Sequence, residues 1–186
     1  MPKVVLIGGS PAHPSRTYAV LEYAQKIFNR ESIEHQIISV RDINAEALLF
    51  AQFDHPDIKQ VVGAIESADA VIVSTPVYKA AYTGVLKALL DLLPQTAFSG
   101  KVVLPIATGG TIAHLLSIDY ALKPILSALG ARTILAGVYI VDSQLQKQDS
   151  GEYQFIDSEI EQRLQNSVYE LISIVQPSRF AVGAGR

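Results

Sequence analysis

Lys3-Val-Val-Leu-Ile-Gly8 is an unbroken apolar run that ends in glycine, and Asp69–Ser74 (DAVIVS) repeats the pattern. A run without polar alternation reads as a strand buried on both faces, the situation of parallel sheets covered by helices. Glu34 to Val40, Lys101 to Ala107 and Arg132 to Val141 complete five predicted strands, with Pro105 unable to donate to a ladder. Helical periodicity fills the intervals. Ser15 to Phe28 carries a stripe of Val20, Leu21, Ala24, Ile27 and Phe28, and further helices are predicted near Asp57–Ser67, Thr83–Leu93, Ile112–Leu129 and Asp157–Val175. Ala45 to Asp57, with Phe50, Phe53 and Pro56, is predicted to be an irregular insertion. Residues 1–176 read as a single domain, and Pro177–Arg186 as a mobile tail.

Five buried strands alternating with five helices require a parallel sheet with both faces covered. Right-handed crossovers leave the Rossmann-like and flavodoxin-like orders, and five strands favour the second. The expected fold is therefore α/β, a flavodoxin-like three-layer sandwich with a five-stranded parallel sheet in order 2-1-3-4-5. The 186 residues suit one core, since about 100–200 residues usually share one. A net charge of −3 offers no basic field to nucleic acid or an anionic membrane. The absence of cysteine removes disulfides, thiolate metal sites and cysteine nucleophiles. His13, His35, His55 and His114 show no metal-ligand spacing, so no metal is expected. No stretch approaches the roughly 20 apolar residues of a membrane span, and Val4–Ile7 is too short for a signal peptide. A cytoplasmic location is expected.

In such a sheet ligands bind outside the carboxyl ends of the strands, beside strand one. The loop Gly8-Gly-Ser-Pro-Ala-His-Pro-Ser-Arg-Thr17 lacks both G-x-G-x-x-G and a G-K-[ST] ending. It offers the hydroxyls of Ser10, Ser15 and Thr17, the Arg16 guanidinium and the free amides of a helix start, which suits a monophosphate. The plainer reading makes Ser15 only an N-cap. In the second loop Pro76 rigidifies the strand exit, so that Val77, Tyr78 and Lys79 can face a flat ligand. The competing reading is partly exposed tyrosines that only pack and a solvated Lys79. The third loop, Ala107-Thr-Gly-Gly-Thr-Ile-Ala-His114, has two glycines that permit close backbone approach, with His114 on the next helix's first turn. A lone histidine there is more often structural than a base.

Together the three loops resemble the NADPH-dependent FMN reductase family. The resemblance continues through Leu49–Asp54, Leu89–Pro94 and Ala113–Pro124, and is strongest to the flavin reductases of two-component alkanesulfonate monooxygenase systems. It implies that Ser10, Ser15, Arg16 and Thr17 hold the FMN phosphate. It further implies that Pro76, Val77, Tyr78, Lys79, Thr108, Gly109 and Gly110 hold the isoalloxazine ring; His114, at the end of the third loop, is expected to bind the cofactor with them. Hydride passes directly between NADPH (or NADH) and FMN, so no side chain is assigned as acid or base. The implied partners are an FMNH2-dependent monooxygenase and further copies of the chain, as dimer or tetramer. Members of that subgroup carry an extra tyrosine, matched by Tyr120, linked to a π-helix at the oligomer interface. Pro124 lacks the amide that would bond the carbonyl of residue 120, leaving it for an i+5 bond from Ile125; the plainer reading is a proline kink with Tyr120 on the surface, and the resemblance favours the bulge. The stripe Leu115, Ile118, Leu122, Ile125, Leu126 and Leu129 is expected to face the core.

Three other functions fit less well. An FMN-retaining quinone or azo reductase shares the loops. A flavodoxin-type electron carrier is usually strongly acidic. A receiver domain needs an acidic pair where this chain has Gly9-Ser10.

Overall fold

The computed structural model describes residues 1–176. The elements are β1 (Lys3–Gly8), α1 (Arg16–Arg30), β2 (Glu34–Ser39), α2 (Ala45–Leu49), α3 (Pro56–Glu66), β3 (Ala70–Pro76) and α4 (Gly84–Asp91). They continue with β4 (Val102–Gly109), α5 (Lys123–Ala128), β5 (Thr133–Ile134), β6 (Val138–Val141), β7 (Leu145–Lys147), β8 (Tyr153–Phe155) and α6 (Ser158–Val175). The main sheet is parallel throughout, in the order β2-β1-β3-β4-β5, and β6 pairs with β4 beyond β5. This is the flavodoxin-like arrangement.

Alternate residues of each strand enter opposite cores. Val5, Ile7, Val71, Val73 and Val103 pack against Ile58 and Val61 of α3, Leu86 and Leu89 of α4 and Leu126 of α5. Val4, Leu6, Ile72, Leu104 and Ile106 pack against Val20, Leu21 and Phe28 of α1 and Leu164 and Val168 of α6. Burial on both faces is what removes polar residues from the strands and writes the unbroken runs.

The fifth predicted strand, Arg132–Val141, is broken into β5 and β6. Leu135 donates its amide to the Val103 carbonyl (2.9 Å), and Gly137 then turns with φ +91°. A Cβ on Gly137 would stand 2.9 Å from the Pro105 carbonyl oxygen. Val103 and Pro105 present their backbone groups to the same neighbour, because alternate residues of a strand do. The missing proline donor therefore faces the break, which is how a central strand tolerates it.

The insertion predicted to be irregular instead contains α2. Asn44 caps it by accepting the Ala47 amide (2.9 Å), and Ala47 and Leu48 are buried while Leu49, Phe50 and Phe53 stay exposed. The predicted helix Ile112–Leu129 is three pieces: a 3-10 turn at Ile112–His114, a π segment at Ile118–Leu122, and α5. Lys123 donates its amide to the Ile118 carbonyl, five residues back and two residues before the pair that Pro124 was expected to free. Pro124 itself lies in the first turn of α5, where no amide is needed. The break rotates Leu115 out of the expected stripe and leaves it 42% exposed, whereas Ile118, Leu122, Leu126 and Leu129 are buried.

Nothing in the sequence reading anticipated the antiparallel hairpin β7–β8. Its strands are three residues each, too short for a periodic signal, and Phe155 meets Tyr23 of α1 edge to face at 5.2 Å. The expectation of a mobile tail concerns Pro177–Arg186, which lie outside the described residues.

Asp157 caps α6, accepting the amides of Glu159 (3.0 Å) and Ile160 (3.2 Å) and the Gln144 side-chain amide (2.8 Å). The Gln144 bond first, and then the Ile160 amide, hold its carboxyl below the usual range. A lowered folded value means that the cap contributes fully above the ordinary Asp value of about 4 and is lost as pH falls through the lowered one. The difference in thermal midpoint between wild type and Asp157→Ala should accordingly be largest near neutrality and shrink under acid. A difference independent of pH would refute the carboxylate's role.

Candidate functional site

The carboxyl ends of β1, β3 and β4 carry three loops tied together by buried hydrogen bonds. Gly9 donates its amide to the Ser74 carbonyl (2.8 Å), and Thr83 Oγ1 donates to the Gly9 carbonyl (2.6 Å). Thr17 and Thr108 share a hydrogen bond between hydroxyls (2.9 Å), and Ser74 Oγ reaches the Thr17 carbonyl (3.4 Å). Val77 donates its amide to the Thr108 carbonyl (2.7 Å), joining the second loop to the third. Ser74, Thr75, Thr83, Thr17 and Thr108 are all buried. Bonded polar groups in so dry a position define one arrangement, because breaking any pair strands a desolvated partner.

The first loop delivers the start of α1 to this edge. Ser15 Oγ accepts the Tyr18 amide (3.1 Å), so Ser15 is an N-cap. The amides of Arg16 and Thr17 have no partner among the described residues and remain for an anion. Ser10 is buried, and its hydroxyl accepts the Ala12 amide (3.2 Å). Arg16 is engaged elsewhere. Its Nε donates to the Asp142 carbonyl (3.2 Å), the Asp142 carboxylate stands 3.6 Å away, and the guanidinium lies 5.1 Å from the centre of the Tyr153 ring. The hairpin and the end of β6 thus hold the side chain that the sequence assigned to a phosphate.

The second loop makes a tight turn. Tyr78 and Ala81 exchange amide-to-carbonyl bonds of 2.8 and 3.3 Å around Lys79 and Ala80, whose φ values are +49° and +73°. Two successive left-handed residues define a type I′ turn, usually made by Asn-Gly. Lys and Ala there are strained, and the Tyr120 hydroxyl of the π segment donates to the Ala80 carbonyl. Tyr120 is therefore more than half exposed yet bonded to the flank of the second loop. Tyr78, Lys79 and Ala80 are exposed, while Pro76 and Val77 are half-buried.

In the third loop the two glycines serve different ends. A Cβ on Gly109 would overlap the Tyr139 hydroxyl, whereas one on Gly110 would meet nothing within 4 Å. His114 ends the 3-10 turn and is half-buried. Tyr139, which sequence reasoning passed over, is buried beneath this loop and donates to the Thr111 carbonyl (2.8 Å). Burial pushes its phenol up from the ordinary value. Its only sequence signal was a tyrosine within an apolar strand, which reads equally as packing. Thr83, Asp142 and Tyr153 were missed for a similar reason, since each acts through a partner distant in the chain.

The sequence profile of NADPH-dependent FMN reductases matches residues 2–146. An FMN reductase (NADPH) from Escherichia coli strain K12 is 53% identical over 143 residues, covering 77% of this chain and 75% of that protein. This chain belongs to the NADPH-dependent FMN reductase family. A second FMN reductase (NADPH), from Pseudomonas putida strain KT2440, is 47% identical over 165 residues, or 89% of this chain and 84% of its own length. The apo form of an NADH:FMN oxidoreductase (EMOB) superposes with a TM-score of 0.84 at 36% identity, covering 96% of this chain and 92% of that one. The family is one of oxidoreductases that use FMN with NADPH or NADH, as the three loop motifs implied. Among the described residues no three His, Asp or Glu side chains are grouped to hold a metal, and no helix is long and apolar enough to cross a membrane.

Two substitutions test the architecture of this edge. Thr83→Val leaves the Gly9 carbonyl and the Leu86 amide without their shared partner, and should cost about 1–3 kcal/mol in urea unfolding. Ala80→Gly removes a left-handed penalty of about 1–2 kcal/mol against an entropic cost of about 0.5–1 kcal/mol, so the thermal midpoint should rise slightly. A fall in midpoint would show that the turn is not strained.

Proposed function

We propose that this chain oxidises NADPH or NADH, reduces FMN, and supplies the reduced flavin to a partner monooxygenase of the alkanesulfonate type. The observation that carries the reading is the clamping of the three loops into one rigid edge. It pairs an anion-attracting helix start with a flat backbone platform. The Arg16 and Thr17 amides beside the Ser15 cap, with Ser10 and Ser15 lining one cavity, are fit to receive the FMN phosphate, with the helix dipole favouring its charge. Arg16 would join them by exchanging Asp142 for the phosphate. The ring would lie along Val77–Ala80 and Gly109–Gly110, where the bare side of Gly110 lets a flat ligand approach the backbone.

When both are bound, hydride transfer between nicotinamide and flavin is chemistry the two groups supply. The protein's part is to stack and orient them, which is worth several kcal/mol of barrier on the order of the intramolecular advantage. The exposed Tyr78 and Lys79 border the open side of the platform, where a second ring would stack and a reduced flavin would leave. Exposed Leu49, Phe50 and Phe53 by α2, and Ile112, Leu115, Leu116 and Tyr120 by the π segment, give the chain apolar surface for pairing with further copies.

Flavin-free protein should oxidise NADPH only when free FMN is added, with a rate that saturates in FMN, and the product should sustain a monooxygenase supplied in trans. Absence of turnover with FMN, combined with rapid turnover of a quinone or azo dye by flavin-loaded protein, would replace this reading with that of a flavin-retaining reductase.

A further inference from the structure

We infer that Tyr139 is a positioning residue for the flavin ring, acting through the backbone of Gly109–Thr111. The inference rests on the reading that the ring lies against the third loop.

Tyr139 stands opposite Ala107 in the β4–β6 ladder, two residues before Gly109. Its side chain reaches past the end of β4 and underlies the loop that follows. The hydroxyl donates to the Thr111 carbonyl, and the same oxygen occupies the space that a side chain on Gly109 would need. One phenol therefore fixes the residues on both sides of Gly110. Its ring packs with Ala107 and with Ile118 of the π segment, and Val77 of the second loop and Val141 lean on that cluster. A single buried side chain thus meets the third loop, the second loop and the π segment at once.

Two successive glycines would otherwise leave this backbone with more freedom than any other pair of residues. A platform for a flat tricyclic ring needs the opposite, amides held in one direction before the ligand arrives. Gly109 surrenders its freedom to close contact with Tyr139, and Thr111 to the hydroxyl bond. Gly110, exposed and open on its side-chain face, is left free to meet a ligand. Tyr139 touches no reacting atom in this arrangement, and a phenylalanine would fill the same apolar cluster without anchoring the loop.

The test uses the full chain as wild type, Tyr139→Phe, Gly109→Ala and the double variant. Binding of FMN and of riboflavin is measured by flavin fluorescence, alongside NADPH oxidation rates and thermal midpoints. Tyr139→Phe should weaken both flavins by the same factor, about five-fold, the scale of one neutral hydrogen bond. The loss should fall on the KM for FMN more than on kcat, with the thermal midpoint nearly kept. Equal factors locate the effect at the ring, which the two flavins share, rather than at the phosphate, which riboflavin lacks. Gly109→Ala should weaken both flavins more strongly, and its penalty should shrink in the Tyr139→Phe background, because removing the hydroxyl frees the space the new Cβ needs. Gly109→Ala also probes the contact from the loop side should Tyr139→Phe fold poorly.

Flavin affinities of Tyr139→Phe within about two-fold of wild type, strictly additive penalties, or a loss confined to FMN would each overturn the inference. If wild type bound neither flavin, the ring-site reading itself would fall. Normal wild-type binding with indifferent variants would remove Tyr139 alone.

Discussion

The hydrogen bond between Thr17 and Thr108, 2.9 Å long and buried, joins the start of α1 to the end of β4 across the carboxyl edge of the sheet. Around it, Thr83 holds the Gly9 carbonyl and Val77 holds the Thr108 carbonyl, so the three loops cannot move independently. Parallel strands end with their carbonyls and the following helix amides at one edge, and without internal partners those groups would sit in water as separate flexible loops. Here short hydroxyl side chains satisfy them within the protein. The result is one rigid edge on which, among the described residues, the Arg16 and Thr17 amides have no partner and the side-chain face of Gly110 is open.

Strain is placed beside that edge rather than within it. The Lys79–Ala80 turn takes up two left-handed residues, and Tyr120 secures it from a helix whose hydrogen bonds span one residue more than in an α-helix. A π segment costs hydrogen-bond geometry and persists where it aims a side chain that an α-helix would direct elsewhere. The Arg16 side chain is likewise engaged by Asp142 and the Tyr153 ring. More than a third exposed and 3.6 Å apart, the pair with Asp142 contributes little to stability.

Much of this was written locally. The runs at Lys3–Gly8 and Asp69–Ser74 announced two-sided burial, and the stripe from Val20 to Phe28 announced α1, because those patterns arise from nearest-neighbour geometry. Pro124 signalled a departure from regular helix, though the widened turn begins two residues earlier than its missing amide suggested. Other features left no local trace. Pro105 is tolerable only because the neighbouring strand breaks at Gly137, and neither residue reveals the other. The rotation of Leu115 out of its stripe follows from the broken helix, and the hairpin β7–β8 is too short to carry a period.

By itself the sequence determined the class of fold, the strand order and the three loops that gather at one edge, since apolar periodicity and crossover handedness leave few alternatives. Which groups of those loops are bonded within the protein and which stay open was decided only by tertiary structure. Thr17 and Thr108 turn their hydroxyls to each other, Arg16 turns to Asp142, and Gly109 yields its space to Tyr139, while the amides beside Ser15 and the face of Gly110 stay open. The first three of these outcomes each depend on a partner at least thirty residues away in the chain. The physical reason is that a donor's direction is set by what it can reach after folding, whereas a strand's burial is already set by its own side chains.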